Sequence, residues 1–272
     1  MKQHYYLLFF ISSLLPLVSQ AQLNAEAISE NVTHLAYEGT SVKATLIRNG
    51  SDAILVDAMY DSLAIEIKKY IDGEGLTLTH LINTHYHGDH TDGNQSFKSV
   101  NIIAHTNTRD LIESKAPYGP PESFSEEDKP NLLFNEKMTL YLNDLQVQLI
   151  HFGNGHTTGD VIVYVPKINV VIVGDLILDA KSTLPFYPNP EHGVAVLNQI
   201  VSIIDDNTQV ITGHGSIGSK QDIVDLVTII NQTIEYSKSG KDPEKFPEEW
   251  KAWDSPFITM AAWLKRLDKI YE

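Results

Sequence analysis

THYHGDH, residues 84–90, directly follows an apolar run at residues 81–83 that reads as the end of a strand. The stretch carries three imidazoles and one carboxylate, more polar side chains than a turn needs for its own backbone hydrogen bonds. Histidine is the commonest metal ligand in proteins. His85 and His87 alternate, so a looped backbone can direct both at one ion, whereas Asp89 and His90 follow too closely to complete the same four-coordinate shell. The stretch therefore predicts a metal ion with a second ion beside it.

Three further ligand-type residues lie where other predicted strands end and loops begin: His156, Asp175 and His214. Each directly follows a glycine, which lets the backbone turn sharply and approach a neighbour closely. Ligands at strand ends are also held rigidly. One histidine beside a glycine would indicate only a turn, but together with the first stretch these residues make seven candidate ligands.

The order of these residues resembles the metallo-β-lactamase-fold superfamily, whose HxHxDH signature is present as His85, His87, Asp89 and His90. The resemblance covers roughly residues 32–214. It implies an α/β fold, a four-layered αβ/βα sandwich with the site at one edge, to which this chain would add C-terminal helices.

The resemblance also implies a role for each ligand. The first metal would be held by three imidazoles, those of His85, His87 and His156. The second metal would be held by Asp89, His90 and His214, and Asp175 would bridge the two.

The chain has no cysteine, so any metal must be held by nitrogen and oxygen. Nitrogen-rich coordination suits zinc, while a bridging carboxylate also accommodates iron or manganese. We therefore predict two zinc ions. Two such ions can share a water and lower its pKa toward about 7, which supplies a bridging hydroxide to attack a carbonyl carbon. Asp89 would orient this water and pass on its proton.

Within this resemblance, the residue at position 175 indicates the substrate class. It is similar to the bridging residue of glyoxalase II and the lactonases, whereas the β-lactamases of the superfamily carry Cys or Ser there. The sequence thus favours an exported binuclear hydrolase of an ester, thioester or lactone, with a β-lactamase as the alternative. An iron-dependent redox member is less favoured, because the oxygen-reducing members have Glu at the position of His87. A metal-binding scaffold without catalysis is a third alternative.

Residues around the ligands are assigned from their position alone. Asp57, Thr157 and Thr158 are expected to orient the ligands, as short polar side chains beside metal sites do. Lys181 is the best candidate to bind a substrate carboxylate, and Tyr187 is expected to reach the same cleft. The proline-rich residues 116–130 are expected to form a surface loop that flanks the site.

Residues 1–21 have the composition of a secretory signal: Lys2, an apolar run at residues 5–18, and small residues before a cleavage point after Ala21. The run is about 14 residues long and contains Pro16, while a membrane span needs roughly 20. We therefore expect a periplasmic or secreted protein with no membrane segment after cleavage. Residues 22–272 would form one hydrolase domain, with residues 216–272 as its helical C-terminal part.

The charge balance bears on the partner. There are 35 acidic against 20 basic residues, a net charge of −15, which disfavours the phosphate backbone of nucleic acids. The expected partner is a small-molecule substrate, and no feature of the sequence indicates an oligomeric state.

The remaining patterns predict the elements that carry the site. β-Forming residues cluster at 42–47, 53–56, 161–165 and 170–173, and residues 140–150 are expected to form a strand. Apolar residues recur at helical spacing along residues 63–71, 197–204 and 223–234, and a last helix is expected at about 256–270. Strands that alternate with helices indicate an α/β sandwich.

Overall fold

A computed structural model describes residues 23–180 and 183–271 of the chain. The predicted signal at residues 1–21 and the predicted substrate residue Lys181 lie outside the described residues. Within them, twelve strands form two sheets.

The first sheet has seven strands in the order of the sequence. Strands β1 to β4 pair antiparallel, and β4 to β7 pair parallel. The strands are β1 Leu23–Ala27, β2 Val32–Tyr37, β3 Ala44–Asn49, β4 Asp52–Val56, β5 Thr77–Ile82, β6 Asn101–His105 and β7 Leu132–Phe134.

The second sheet has five strands in the order β12-β11-β10-β9-β8, of which only the β11–β12 pair is parallel. The strands are β8 Lys137–Leu142, β9 Leu145–Ile150, β10 Ile162–Val165, β11 Val170–Gly174 and β12 Gln209–Thr212.

Helices cover the outer face of each sheet. The α-helices of the described residues are α1 Asp61–Gly73, α2 Gly88–Thr91, α3 Thr106–Glu113, α4 Pro190–Ile203, α5 Lys220–Lys238 and α6 Met260–Tyr271, of which α1, α4, α5 and α6 form the outer layers. The buried face of α1, with Ile67 and Ile71, packs on the first sheet, and the apolar faces of α4, α5 and α6 pack on the second. Between the sheets lies a third apolar cluster, in which Ile54 and Ile82 of the first sheet meet residues such as Val163 of the second. These four layers confirm the predicted αβ/βα sandwich with its additional C-terminal helices.

Two boundaries differ from the prediction. Residues 140–150 form a hairpin rather than one strand, because Asn143 adopts a left-handed backbone conformation (φ 56°) that reverses the chain between β8 and β9. The last helix begins at Met260 rather than near residue 256, because the Thr259 hydroxyl accepts from the Ala262 amide (3.3 Å) and the Asp254 carboxylate accepts from the Met260 amide (2.6 Å). Among the described residues, no helix combines the length and the apolar character needed to cross a bilayer.

Candidate metal centre

Each of the seven predicted ligands lies just beyond the end of a strand or in a loop beside one. His85 and His87 follow β5, and Asp89 and His90 belong to the short helix α2. His156 lies in the loop between β9 and β10, Asp175 directly follows β11, and His214 follows β12. Because β11 and β12 are parallel neighbours, Asp175 and His214 emerge side by side. The topology therefore brings residues up to 129 positions apart to one edge of the sandwich.

The seven side chains form two groups. The first contains His85, His87, His156 and Asp175, and the second contains Asp89, His90 and His214. Within each group the candidate ligand atoms all lie within 4.8 Å of one another. The sequence analysis assigned the same seven residues to two ions, with Asp175 shared between them.

Asp175 lies between the two groups. Its Oδ2 is 3.5 Å from His156 Nε2 and 3.1 Å from His214 Nε2, and its Oδ1 is 3.2 Å from His90 Nε2. Two ligand atoms at about 2.1 Å from one tetrahedral ion are about 3.4 Å apart, so these spacings are those of a shared shell. The carboxylate is thus placed to bridge two ions.

The imidazole nitrogens that face the centre contact other candidate ligands or have no hydrogen-bond partner among the described residues. His156 donates from Nδ1 to the carbonyl of Phe186 (3.1 Å), which leaves the Nε2 lone pair directed toward His87 Nδ1 at 3.1 Å. His85 Nε2 is buried and has no hydrogen-bond partner among the described residues. Because a buried nitrogen without a partner is costly, this atom fits a role as metal ligand.

Asp57 orients ligands of both groups, as predicted. Its carboxylate accepts hydrogen bonds from His90 Nδ1 (2.9 Å), from the Thr84 amide (2.8 Å) and from the Thr84 hydroxyl (2.8 Å). The Thr84 oxygen lies 3.1 Å from His85 Nδ1 and, having donated its own proton, accepts from that nitrogen. Both imidazoles are therefore held with Nε2 toward the centre.

The electrostatics of the site favour a cation. Burial, followed by the charge of His90, lowers the pKa of His85 well below its usual value, so this imidazole is in the neutral form that binds metals. Burial and the neighbouring His156 lower the pKa of His87 to about 4. Burial alone would raise the pKa of Asp175, but the imidazoles of His90 and His85 hold it well below its usual value. Burial lowers the pKa of His90, but the carboxylates of Asp175, Asp57 and Asp89 raise it well above its usual value. An ionised carboxylate thus lies beside the neutral imidazoles of His85 and His87, which are nitrogen and oxygen donors that a metal ion can use.

Two glycines allow this convergence. A Cβ atom on Gly213 would lie 2.0 Å from Asp175 Oδ1, and one on Gly174, whose φ is +52°, would lie 2.6 Å from the Thr84 hydroxyl. Any larger residue would push a ligand or its support out of place.

Two predictions about neighbouring residues are wrong. Tyr187 does not reach the cleft: it is fully buried, and its hydroxyl donates to the carbonyl of Leu176 inside the core. The Thr157 hydroxyl binds Asp160 rather than the imidazole of His156. The amide (2.9 Å) and the hydroxyl (2.6 Å) of Thr157 both bind the buried carboxylate of Asp160, which also accepts from the Gly155 amide (3.1 Å). Asp160 thereby fixes the loop on both sides of His156, a role that the sequence analysis did not assign to it.

Thr158 contributes only its main chain, since its carbonyl accepts from the Asn107 side chain (2.7 Å). Ser41, in the loop between β2 and β3, was not predicted, yet its hydroxyl lies 3.1 Å from His214 Nδ1. The loop at residues 116–130 flanks the site as expected. The carbonyl of Tyr118 accepts a hydrogen bond from the amide of Gly88 (2.7 Å), which lies in sequence between the ligands His87 and Asp89.

A cavity of about 330 Å³ opens beside His156. Tyr86, Leu111 and Pro188 provide its apolar wall, and Asn154, Asn189 and His192 are among its polar lining residues. A space of this size next to the ligands can hold part of a small molecule.

Comparison with known proteins agrees with this geometry. A family model described as the metallo-beta-lactamase superfamily matches residues 37–214, well over half of the chain. The chain belongs to this superfamily. It is accordingly a metallo-beta-lactamase superfamily hydrolase with a candidate metal centre.

Individual superfamily members are distant. A metallo-beta-lactamase type 2 from Bacteroides fragilis is 24% identical over 197 residues, which is 70% of this chain and 75% of the relative. A hydroxyacylglutathione hydrolase from Synechococcus sp. is 26% identical over 146 residues, half of each chain. Among solved structures, a metallo-beta-lactamase from Pontibacter korlensis superposes with a TM-score of 0.66 at 18% identity, over 77% of this chain and 99% of the other. The solved structure shares the fold of this chain, and the two relatives are named as two kinds of hydrolase.

Proposed function

We propose that the chain is an exported, zinc-dependent hydrolase that cleaves an ester, a thioester or a lactone at its carbonyl carbon. The observation that carries the proposal is the Asp175 carboxylate, which lies 3.1–3.7 Å from imidazole nitrogens of both ligand groups. Zinc suits a donor set of five imidazoles and two carboxylates without a thiolate, and iron and manganese are the alternatives.

Zinc ions bound by the two groups would polarise a carbonyl and provide a water of lowered pKa. The chain itself supplies the positioning. His85, His87 and His156 would hold the first ion, Asp89, His90 and His214 the second, and Asp175 both. No protein nucleophile is then required.

Asp89 is the residue we assign to proton transfer. Its carboxylate oxygen is 3.4 Å from His214 Nε2 and 3.7 Å from His90 Nε2. The Asp89 side chain is 23% exposed, more than the neighbouring side chains of His90 and His214. One oxygen directed at the ligands leaves the other free to orient a water and accept its proton. The exposed edge then lets that proton leave to solvent.

The proposal of export rests on the composition of residues 1–21, and the proposal of a small-molecule substrate rests on the cavity beside His156 and the net charge of −15. Relatives whose names denote hydrolysis of a β-lactam and of hydroxyacylglutathione support chemistry at a carbonyl. A β-lactam is the second candidate substrate, favoured by the relative that covers 70% of this chain.

The test is hydrolysis of a panel of an ester, a thioester, a lactone and a chromogenic cephalosporin. We expect the zinc-loaded protein to turn over at least one of the first three, and the metal-free protein to turn over none. Asp89→Ala should lower kcat by about a hundredfold or more, the usual contribution of a positioned acid or base. Asp206→Ala, an exposed carboxylate in the turn between α4 and β12, is the matched control and should change nothing. Undiminished turnover by the metal-free protein would contradict the proposal, and turnover of the cephalosporin alone would favour the β-lactamase.

A further inference from the structure

An exposed aromatic ring lies beside each of the two ligand groups of the candidate metal centre. Among the described residues, the exposed large aromatic side chains are Tyr60, Tyr118, Tyr141 and Phe257. The ring of Tyr118 is 5.7 Å from that of His87 in the first ligand group, and the ring of Phe257 is 5.7 Å from that of His214 in the second. Scattered exposed apolar residues are normal on a protein surface, but here one ring stands beside each group of ligands.

The two rings come from segments that are fixed in place. Tyr118 has a left-handed backbone (φ 68°), and its carbonyl is bound by the Gly88 amide. The preceding residue, Pro117, accepts a hydrogen bond from the Tyr86 hydroxyl (2.7 Å). Tyr118 as a residue is nevertheless 82% exposed, so the loop holds its backbone against the ligand loop while the side chain stays in solvent. A non-glycine residue with positive φ is uncommon, and such positions cluster at functional sites.

Phe257 is presented by an equally ordered turn. The Ser255 hydroxyl accepts from the amides of Phe257 (3.3 Å) and Ile258 (3.2 Å), and the Ser255 amide donates to the Ile258 carbonyl (3.0 Å). Asp254 caps the helix that follows. This turn leaves the ring of Phe257 40% exposed beside His214.

Phe257 also lies outside the part of the chain that matches the superfamily, which ends at residue 214. The C-terminal helical part therefore brings its own aromatic ring to a centre built entirely from the preceding residues. An aromatic ring that packs on a partner releases water from a large apolar surface, and so contributes strongly to recognition.

We propose that Tyr118 and Phe257 are specificity-determining residues that contact apolar groups on the two sides of the scissile carbonyl. An ion in the first group would polarise the carbonyl, and an ion in the second would steady the departing group. Tyr118, beside His87, therefore contacts the acyl part, and Phe257, beside His214, contacts the leaving part. The preferred substrates are then carbonyl compounds with an aromatic or branched apolar leaving group. This inference rests on the proposed function and specifies its substrate class.

The first test is a binding measurement that needs no turnover. A thiolate binds zinc directly, so ethanethiol reports the metal centre alone, and 2-phenylethanethiol reports the centre together with any neighbouring apolar wall. We expect the zinc-loaded protein to bind 2-phenylethanethiol roughly tenfold more tightly than ethanethiol in calorimetric titrations. Phe257→Ala should remove most of this difference without changing the affinity for ethanethiol, and Phe257→Leu should restore part of it.

Tyr141→Ala is the matched control, since Tyr141 is 70% exposed on β8. It lies near the β8–β9 hairpin turn, where the Leu142 carbonyl accepts a hydrogen bond from Asn49. Asn49 ends β3 and pairs with Asp52 at the start of β4, whereas Asp57 follows the other end of β4. This variant should keep the full preference for 2-phenylethanethiol. A preference below about twofold in the wild type, or an equal loss in the Tyr141→Ala and Phe257→Ala variants, would overturn the proposal.

The second test separates the inference from the proposed function. With a hydrolysed ester, Phe257→Ala should raise KM for a phenyl or benzyl leaving group about fivefold, with kcat little changed, and should leave the methyl ester unaffected. Tyr118→Ala should do the same for an aromatic acyl group. If the panel is hydrolysed but these variants show no such selectivity, the rings are not specificity determinants and the hydrolase proposal stands. If ethanethiol does not bind at all, the zinc centre is absent and both proposals fail.

Discussion

The two ligand groups differ in how firmly the fold holds them. In the first, the imidazole of His85 is 1% exposed and supported through Thr84 by the buried Asp57, and His156 is fixed to a main-chain carbonyl. In the second, His90 is equally buried, but Asp89 is 23% exposed and His214 is supported by the exposed Ser41. The first group is thus more completely preorganised. We expect it to bind its ion more tightly, because less ordering of side chains opposes binding.

The largest effect should come from loss of a ligand in the first group. His85→Ala removes a buried imidazole whose Nε2 has no hydrogen-bond partner among the described residues, and should abolish binding of the first ion. Since a metal stabilises a transition state by several kcal/mol, hydrolysis should fall about a thousandfold or more. His214→Ala should instead keep one ion. Elemental analysis measures the metal bound by both variants, and circular dichroism is the control for folding. The comparison fails if His85→Ala retains both metal ions.

Asp57→Asn should have the next largest effect. Asn tolerates the left-handed conformation that Asp57 adopts (φ 60°), so the backbone is preserved while the charge beside His90 is lost. Residues that orient metal ligands typically contribute 10- to 100-fold to metal affinity, and we expect a loss in this range, concentrated on the second group. Zinc competition with a fluorescent chelator measures it, with Asp206→Asn as the control. A loss confined to the first group would reverse the proposed order.

Metal removal tests the same order in the wild-type protein. Titration with a chelator should remove the two ions in separate steps, with affinities that differ by about tenfold or more. The variant His214→Ala should lack the weaker step. Simultaneous release of both ions would show that the two groups act as one unit.

Ser41→Ala should have the smallest effect. The hydroxyl makes one partly exposed hydrogen bond to His214, worth about 1 kcal/mol, so affinity for the second ion should fall about fivefold. Ser41→Thr retains a hydroxyl and should restore most of it. The same competition assay applies, and an effect as large as that of Asp57→Asn would show that the β2–β3 loop supports the site more firmly than its exposure indicates.

The ligands were predictable because their chemistry is local. His85, His87, Asp89 and His90 lie in one short stretch, and His156, Asp175 and His214 each follow a glycine at a strand end, so residue type and position marked them as candidates. The resemblance to the superfamily then divided them between two ions. Strand and helix periodicities likewise indicated the layers of the sandwich.

The supports of the site were harder to predict because they depend on tertiary packing. Ser41 meets His214 across 173 residues, and no local pattern marks it. Tyr187 carries a polar group in a loop near Asp175, which suggested a role in the cleft, but its ring packs against Gly193 of α4, and a Cβ there would clash with it at 2.0 Å. Phe257 reaches the centre only through the turn before α6. Such contacts are set by the packing of whole elements, which residue types alone do not define.

The most direct test of the central claim is a crystal structure of the zinc-loaded protein with diffraction data collected at the zinc absorption edge. We predict two anomalous peaks, one in each ligand group, with the Asp175 carboxylate between them. A single peak that does not contact Asp175, or no peak at either group, would contradict the proposal of a bridged two-metal centre.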